Sequence, residues 1–225
     1  LVEKGATVVV PYQTSDPNSY LVRQNLHNKS ILVPLDITDG HVLDVLARHE
    51  ISTIFHLAAQ PIVTTAYNSP ARTIEINVMG TVNILDAARI WGKCTAIIIA
   101  SSDKAYGKLS KKIYKEEDPL RGDHPYEVSK SAADLIASSY FKTYGLPIVI
   151  TRFGNIYGEG DMNFSRIIPG IIEAVINNKT LGLRSDGTHI RNYVYVKDVV
   201  EGYLLTLSKI KEIKGEAFNL SSNEK

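Results

Sequence analysis

The chain has 225 residues, enough for one compact core and a second, smaller region. Lys plus Arg number 25 against 24 Asp plus Glu, so charge gives no reason to expect nucleic acid or an anionic membrane as partner. With 15 Gly, 9 Pro and one Cys, collagen, a disordered linker and an internally disulfide-bonded secreted scaffold are excluded, and no apolar run approaches the ~18 residues of a membrane helix. The expectation is a soluble, cytoplasmic globular protein.

The opening residues read as a last helical turn stopped by Gly5, followed by a strand. Thr7–Val10, Ser30–Leu35, Thr53–Ala58, Thr95–Ala100 and Pro147–Arg152 are short β-branched runs with little polar alternation. Strands covered on both faces of a parallel sheet have this look. Between them the apolar spacing predicts helices over Val42–His49 with Asp39 as N-cap, over Thr73–Ile90 ending before Gly92, and over Ser129–Tyr144 ending at Gly145. Strands alternating with helices imply an α/β, Rossmann-like, doubly wound parallel sheet, assigned to residues 1–155.

Past Gly154 the rhythm changes. Ile156–Asp161 is Gly-rich and reads as loop, Phe164–Asn177 as helix, Arg184–His189 as polar turn and Val199–Leu207 as helix. Residues 156–225 are therefore expected to form a small substrate-binding region from C-terminal segments that return to the sheet, near the carboxyl strand ends where such folds bind ligands. The end, Ala-Phe-Asn-Leu at 217–220, reads as a strand beginning a new unit. Both ends thus read as cut from a longer protein.

Tyr126 and Lys130 lie four apart at a helix start and share one face. A tyrosine that must lose its proton near neutral pH needs its phenolate stabilised, and a neighbouring ammonium does this. Tyr-x3-Lys occurs twice; the second pair, Tyr193 and Lys197, begins in the alternating, strand-like Tyr-Val-Tyr-Val. Tyr126 stands out by its surroundings. Ser-Ser-Asp-Lys-Ala-Tyr-Gly at 101–107 directly follows a strand, and His-Leu-Ala-Ala-Gln at 56–60 offers small residues at another strand end. His56, in an apolar strand end, reads as a satisfied core histidine, Cys94 as an inert buried thiol, and the basic cluster Lys108, Lys111 and Lys112 as a solvated loop. No His, Cys, Asp or Glu set has metal-ligand spacing, and no metal is expected.

These motifs, with Asn-Val-Met-Gly-Thr at 77–81, Pro-Tyr-Glu-Val-Ser-Lys at 125–130, Arg-Phe-Gly-Asn-Ile-Tyr-Gly at 152–158 and Arg-Ser-Asp-Gly-Thr-His-Ile-Arg at 184–191, resemble the extended short-chain dehydrogenase/reductases. Within that family the chain is most similar to nucleotide-sugar 4,6-dehydratases, CDP-glucose 4,6-dehydratase in particular. The resemblance implies NAD as a catalytic cofactor, with CDP-glucose going to CDP-4-keto-6-deoxyglucose by way of transient NADH. It makes Tyr126 the base for the sugar 4-hydroxyl, Lys130 its electrostatic partner, Ser102 a hydrogen-bond donor to that hydroxyl and Asp103 the acid for the leaving hydroxyl. Lys104 stands where the dTDP- and GDP-sugar dehydratases usually carry Glu; the CDP-glucose branch resembles this chain in having Lys there, and Lys104 is a candidate base for the elimination.

The same resemblance assigns Asp36, Ile37, Leu57, Ala58, Ala59, Asn77 and Ser101, with Tyr126 and Lys130, to the cofactor. It assigns Gln60, Asn155, Asn163, Arg166 and Arg191 to the nucleotide sugar. The family's Gly-rich phosphate loop does not occur in the chain, and Val10 is followed by Pro11-Tyr12-Gln13 where an acidic residue often meets the ribose. NAD rather than NADP is thus a family expectation. A homodimer through the two long helices is implied in the same way. A sugar 4-epimerase on the same scaffold, or a non-catalytic dinucleotide-binding protein, is the alternative.

Overall fold

The structure is a computed structural model that describes residues 1–110, 113–183, 186–188 and 191–221. Arg184, Ser185, His189 and Ile190 of the 184–191 motif, and Lys111 and Lys112 of the basic cluster, lie outside the described residues. In chain order the strands are β1 (Val9–Tyr12), β2 (Ile31–Pro34), β3 (Thr53–His56), β4 (Ala96–Ser102), β5 (Ile148–Phe153), β6 (Asn155–Tyr157), β7 (Tyr193–Tyr195) and β8 (Ala217–Leu220). The α-helices are α1 (Tyr20–Arg23), α2 (Val42–Arg48), α3 (Val63–Asn68), α4 (Pro70–Ile74), α5 (Gly80–Trp91), α6 (Pro125–Tyr144), α7 (Ile167–Ile176) and α8 (Val196–Ile213).

The central sheet runs β3-β4-β5-β8, all parallel, while β1 with β2 and β6 with β7 form separate parallel pairs. Alternate residues of β4 and β5 serve opposite faces. Ile97, Ile99, Ile148 and Ile150 pack with Leu85 and Ala88 of α5 and Ala137 of α6. Ala96 and Val149 face the other way, onto Ile210 of α8. Both faces are therefore covered, as the apolar runs predict, and the Rossmann-like α/β expectation holds. Among the described residues, no helix is long and apolar enough to cross a membrane.

Several boundaries differ from those expected, each for a local reason. The helix expected over Thr73–Ile90 consists of α4, a π-helical turn at Glu75–Met79 and α5. Gly80 lets this segment approach Ile37, whose side chain fills the space a Cβ would take. Helix α6 begins at Pro125 rather than Ser129, because proline at the first helical position costs no hydrogen bond. Asp39 does not cap α2; His41 holds that position, and the Asp39 amide instead closes a turn onto the Asp36 carbonyl. Within the expected loop at 156–161, Asn155–Tyr157 is a strand paired with β7. Helix α7 starts only at Ile167, after the Asn163 side chain has engaged the Ser165 amide and hydroxyl. The 217–220 strand extends the central sheet beside β5 instead of opening a new unit.

Gly107 closes the 3-10 turn Asp103–Tyr106 that follows β4, at φ 63° and ψ −143°. A Cβ there would run into the Arg121 carbonyl. Strain of this kind costs about 1–3 kcal/mol. Gly107→Ala should therefore lower the urea midpoint of unfolding accordingly; an unchanged midpoint would contradict the packing described.

Candidate active site

Strand β4 delivers Ala100, Ser101 and Ser102 to its carboxyl end, and the chain then turns sharply through Asp103–Tyr106. The Ser102 hydroxyl accepts from the Lys104 amide at 3.2 Å and donates to Asp103 at 3.1 Å. Lys104 Nζ and Asp103 Oδ2 form an ion pair at 2.7 Å, with both side chains about one-third exposed. The first turns of α6 lie against this turn and bring Tyr126 and Lys130 to the same cleft.

Both α6 groups are buried. Burial pushes the Tyr126 phenol up, while a hydrogen bond with Ser102 and the charge of Arg166 act the other way. Lys130 is pushed down to about 8 by burial, against the pull of Asp134. Its ammonium donates to the Ala100 carbonyl at 3.0 Å. His56 is buried and held at about 4 by burial and the Lys130 charge. Because the Thr81 hydroxyl donates to the Asn77 carbonyl at 2.7 Å, it accepts from His56 Nε2 at 3.0 Å. His56 is thus a satisfied neutral core histidine, as the sequence suggests. Burial also pushes the Cys94 thiol up to about 11, which keeps it protonated and unreactive.

The cleft encloses about 540 Å³ and brings together Ser101, Ser102, Asp103, Lys104, Tyr126, Lys130, Leu57, Ala59, Asn155, Asn163 and Arg166 of the expected set. Other expected residues lie elsewhere. Asn77 donates to the Gln60 carbonyl and the Ser129 hydroxyl and accepts from the Gln60 amide, so its whole amide group is committed inside the protein. Gln60 donates to Thr73 and accepts from the Ile62 amide, which turns its side chain away from the cleft. These bonds make the two residues part of what holds the strand-end turn in place. Ile37 is in the core, and Ala58 and Arg191 are exposed but do not line the cleft. Asp36 lines a separate 460 Å³ cavity, where Gln13, Thr38 and Arg72 donate to its carboxylate, and the Thr38 amide and the Arg72 guanidinium hold it at about 2.

Sequence reading missed the cleft wall formed by Pro61, Ile62, Tyr157, Ile168 and Tyr203. It also missed a buried cluster beneath the turn. Arg152 of β5 meets Asp134 of α6 through two bonds of 2.8 and 2.9 Å and donates to Tyr106 Oη at 2.6 Å. Tyr106 Oη in turn donates to Asn219 of β8 at 2.8 Å, and Ser101 Oγ donates to Asp134 at 2.7 Å. The i, i+4 spacing of Lys130 and Asp134 was a signal available in the sequence.

The sequence pattern of the family described as GDP-mannose 4,6 dehydratase matches residues 1–224. The chain belongs to that family. Among its relatives, human dTDP-D-glucose 4,6-dehydratase is 33% identical over 84% of this chain and 53% of its own length. CDP-glucose 4,6-dehydratase of Salmonella typhimurium is 30% identical over 78% of this chain and 54% of its own. The chain thus spans about half the length of these two curated relatives. Among solved structures, dTDP-glucose 4,6-dehydratase from Bacillus anthracis in complex with NAD superposes with a TM-score of 0.84 at 27% identity, covering 97% of this chain and 67% of that one. UDP-glucose 4-epimerase from Thermotoga maritima with UDP-glucose superposes at 0.88 and 26% identity, covering 99% and 71%. Proteins named for both reaction types therefore share this fold.

A lysine whose folded pKa lies near 8, below its ordinary 10.5, destabilises the folded state wherever it is charged. That penalty is full below pH 8 and fades as pH rises from 8 to 10.5. Lys130→Met should therefore be more stable than wild type at pH 7 by about 2 kcal/mol, after allowing ~1 kcal/mol for the lost bond to Ala100. The gain should shrink toward pH 10. Calorimetry of both proteins across pH checks this, and a less stable variant at pH 7 would contradict it.

Proposed function

We propose that the chain carries the catalytic groups of an NAD-dependent nucleotide-sugar 4,6-dehydratase, with CDP-glucose as substrate. The observation carrying this reading is the Asp103–Lys104 ion pair at 2.7 Å, set beside Ser102 and Tyr126 in one cleft. An acid and a base for removing water stand there next to a tyrosine suited to a hydroxyl proton. The cleft wall suits a nicotinamide riboside, since Ala59 is small and Lys130, bonded to the Ala100 carbonyl at the end of β4, lines the same cleft. NAD, when bound, supplies the hydride acceptor for the sugar 4-position.

Tyr126 takes the proton of the 4-hydroxyl, and Ser102 hydrogen-bonds the same oxygen. Lys130, charged below about pH 8, stabilises the phenolate that burial otherwise disfavours. Once the 4-position is a ketone, the neighbouring C5 proton becomes acidic. Lys104 in its neutral form removes it, and Asp103 in its protonated form donates to the departing 6-hydroxyl. Within the ion pair, the proton that converts Lys104 to the base is the one Asp103 needs as the acid. Arg166 and Asn163 line the cleft on the segment preceding α7 and would meet the diphosphate, for which a guanidinium fork is well suited. Described segments after residue 155, up to residue 221, would supply the substrate-binding part and the return to the sheet. Lys at 104 rather than Glu is what favours the CDP-sugar.

The same cleft on the same scaffold could serve a 4-epimerase, which needs Tyr126 and Lys130 but no acid at 103. Asp103→Asn separates the two. It should slow loss of water by ~10²–10⁴-fold, while any epimerisation persists; dehydration that survives the substitution would overturn the assignment. A homodimer through α5 and α6 belongs to the same proposal. Val128 and Leu135, two turns apart on α6, are 42% and 57% exposed and leave an apolar stripe there. Sedimentation at micromolar concentration should give a dimer and Leu135→Glu a monomer; a monomeric wild type would contradict it.

A further inference from the structure

The turn that bears Asp103 and Lys104 lies on a strand end and is 28–36% exposed at those side chains. Within its own length it is held by the Ser102 cap, the Asp103–Lys104 pair and the Gly107 closure, and its Ala105 carbonyl accepts from the Ser131 hydroxyl of α6 and the Arg121 amide. Its two flanks, however, are tied to one buried ion pair. On the upstream side Ser101 Oγ donates to Asp134 Oδ2 at 2.7 Å. On the downstream side Tyr106, fully buried, accepts from Arg152 at 2.6 Å and lies under its guanidinium, with the Cζ 5.0 Å from the ring centroid. Asp134 and Arg152 are 2% and 6% exposed and join through two parallel bonds.

A buried pair of this kind is poor value for stability alone, because desolvating two ions offsets most of their attraction. Its geometry is the informative part. The two-pronged fork fixes the guanidinium plane, and that plane fixes where the Tyr106 hydroxyl and hence the downstream flank must lie. Asp134 also stands one turn beyond Lys130 on α6, so the same carboxylate anchors the helix that carries Tyr126 and Lys130. We propose that Asp134 and Arg152 form a positioning unit that sets the Asp103–Lys104 turn against Tyr126, acting through Ser101 at one flank and Tyr106 at the other. Neither residue lines the cleft. They act through the groups they hold, and this inference rests on the dehydratase reading only where turnover is the readout.

The experiment is a double-mutant cycle with two readouts. Ser101→Ala, Tyr106→Phe, Asp134→Asn and Ser101→Ala with Asp134→Asn are compared for kcat, KM and amide hydrogen exchange of the Asp103–Gly107 peptide. Asp134→Asn should lower kcat by ~10²-fold with KM changed little, since misplacement by about an ångström costs that much. Exchange in the turn should quicken by ~10-fold while β5 stays protected. Tyr106→Phe should loosen the same peptide even if Asp134→Asn folds poorly. Ser101→Ala should lower kcat in the wild-type background and have no further effect in Asp134→Asn.

Persistence of the Ser101→Ala cost in the Asp134→Asn background would overturn the proposal, since Ser101 would then act by touching ligand directly. Unchanged turn exchange in both Asp134→Asn and Tyr106→Phe would overturn it as well. A wild type that turns over no nucleotide sugar defeats the dehydratase reading, and the exchange measurements alone then decide the positioning claim.

Discussion

The parallel ladder between β4 and β5 sets everything else in the cleft. Its register places Ser101 beside Arg152 and Ser102 beside Phe153, so both strands end at one level. Parallel strands force that outcome: their carboxyl ends open on the same side, and polar groups can gather there without interrupting the buried ladder. Helix α6 completes the arrangement. It lies on the sheet face that Ile97 and Ile99 cover, so its first turns arrive beside the ends of the same strands. A tyrosine and a lysine four residues apart on that helix then need no further device to face the serine and aspartate after β4.

The site costs the fold something, and the cost is visible in the protonation states. Lys130 carries a charge in a place that disfavours it, and its ammonium is bonded to the Ala100 carbonyl. The neighbouring imidazole, His56, meets the same environment by staying neutral. Two basic groups close together cannot both be charged cheaply in such surroundings, and the histidine yields. The buried Asp134–Arg152 pair is the counterweight, with its carboxylate on the Lys130 face of α6 and its guanidinium locked on the sheet side. This arrangement suits a site where one positive charge must persist near neutral pH to hold a phenolate.

Much of this was legible in the sequence, for reasons that differ between elements. The strands announced themselves because covered parallel strands must be apolar on both faces, as Ile97–Ile99 and Ile148–Ile150 are. The cleft residues Ser102, Asp103, Tyr126 and Lys130 were legible because each sits at a strand end or helix start, where spacing translates directly into position. The backbone-holding bonds of Asn77 and Gln60 were not legible, since an amide at a strand end serves a ligand or its own backbone equally well in sequence. Strand β6 was hidden by Gly154 and Gly158 on either side of three residues, too few for a period-2 pattern to show. The Asp134–Arg152 pair joins positions 18 apart on a helix and a strand, and only their packing brings the two together.

The central claim is that this cleft removes water from a nucleotide hexose. It is tested most directly by incubating the purified full-length protein with NAD and CDP-, dTDP-, GDP- and UDP-hexoses and measuring product masses. CDP-glucose should lose one water, with no net accumulation of NADH. Products that all retain the mass of their substrates would contradict it.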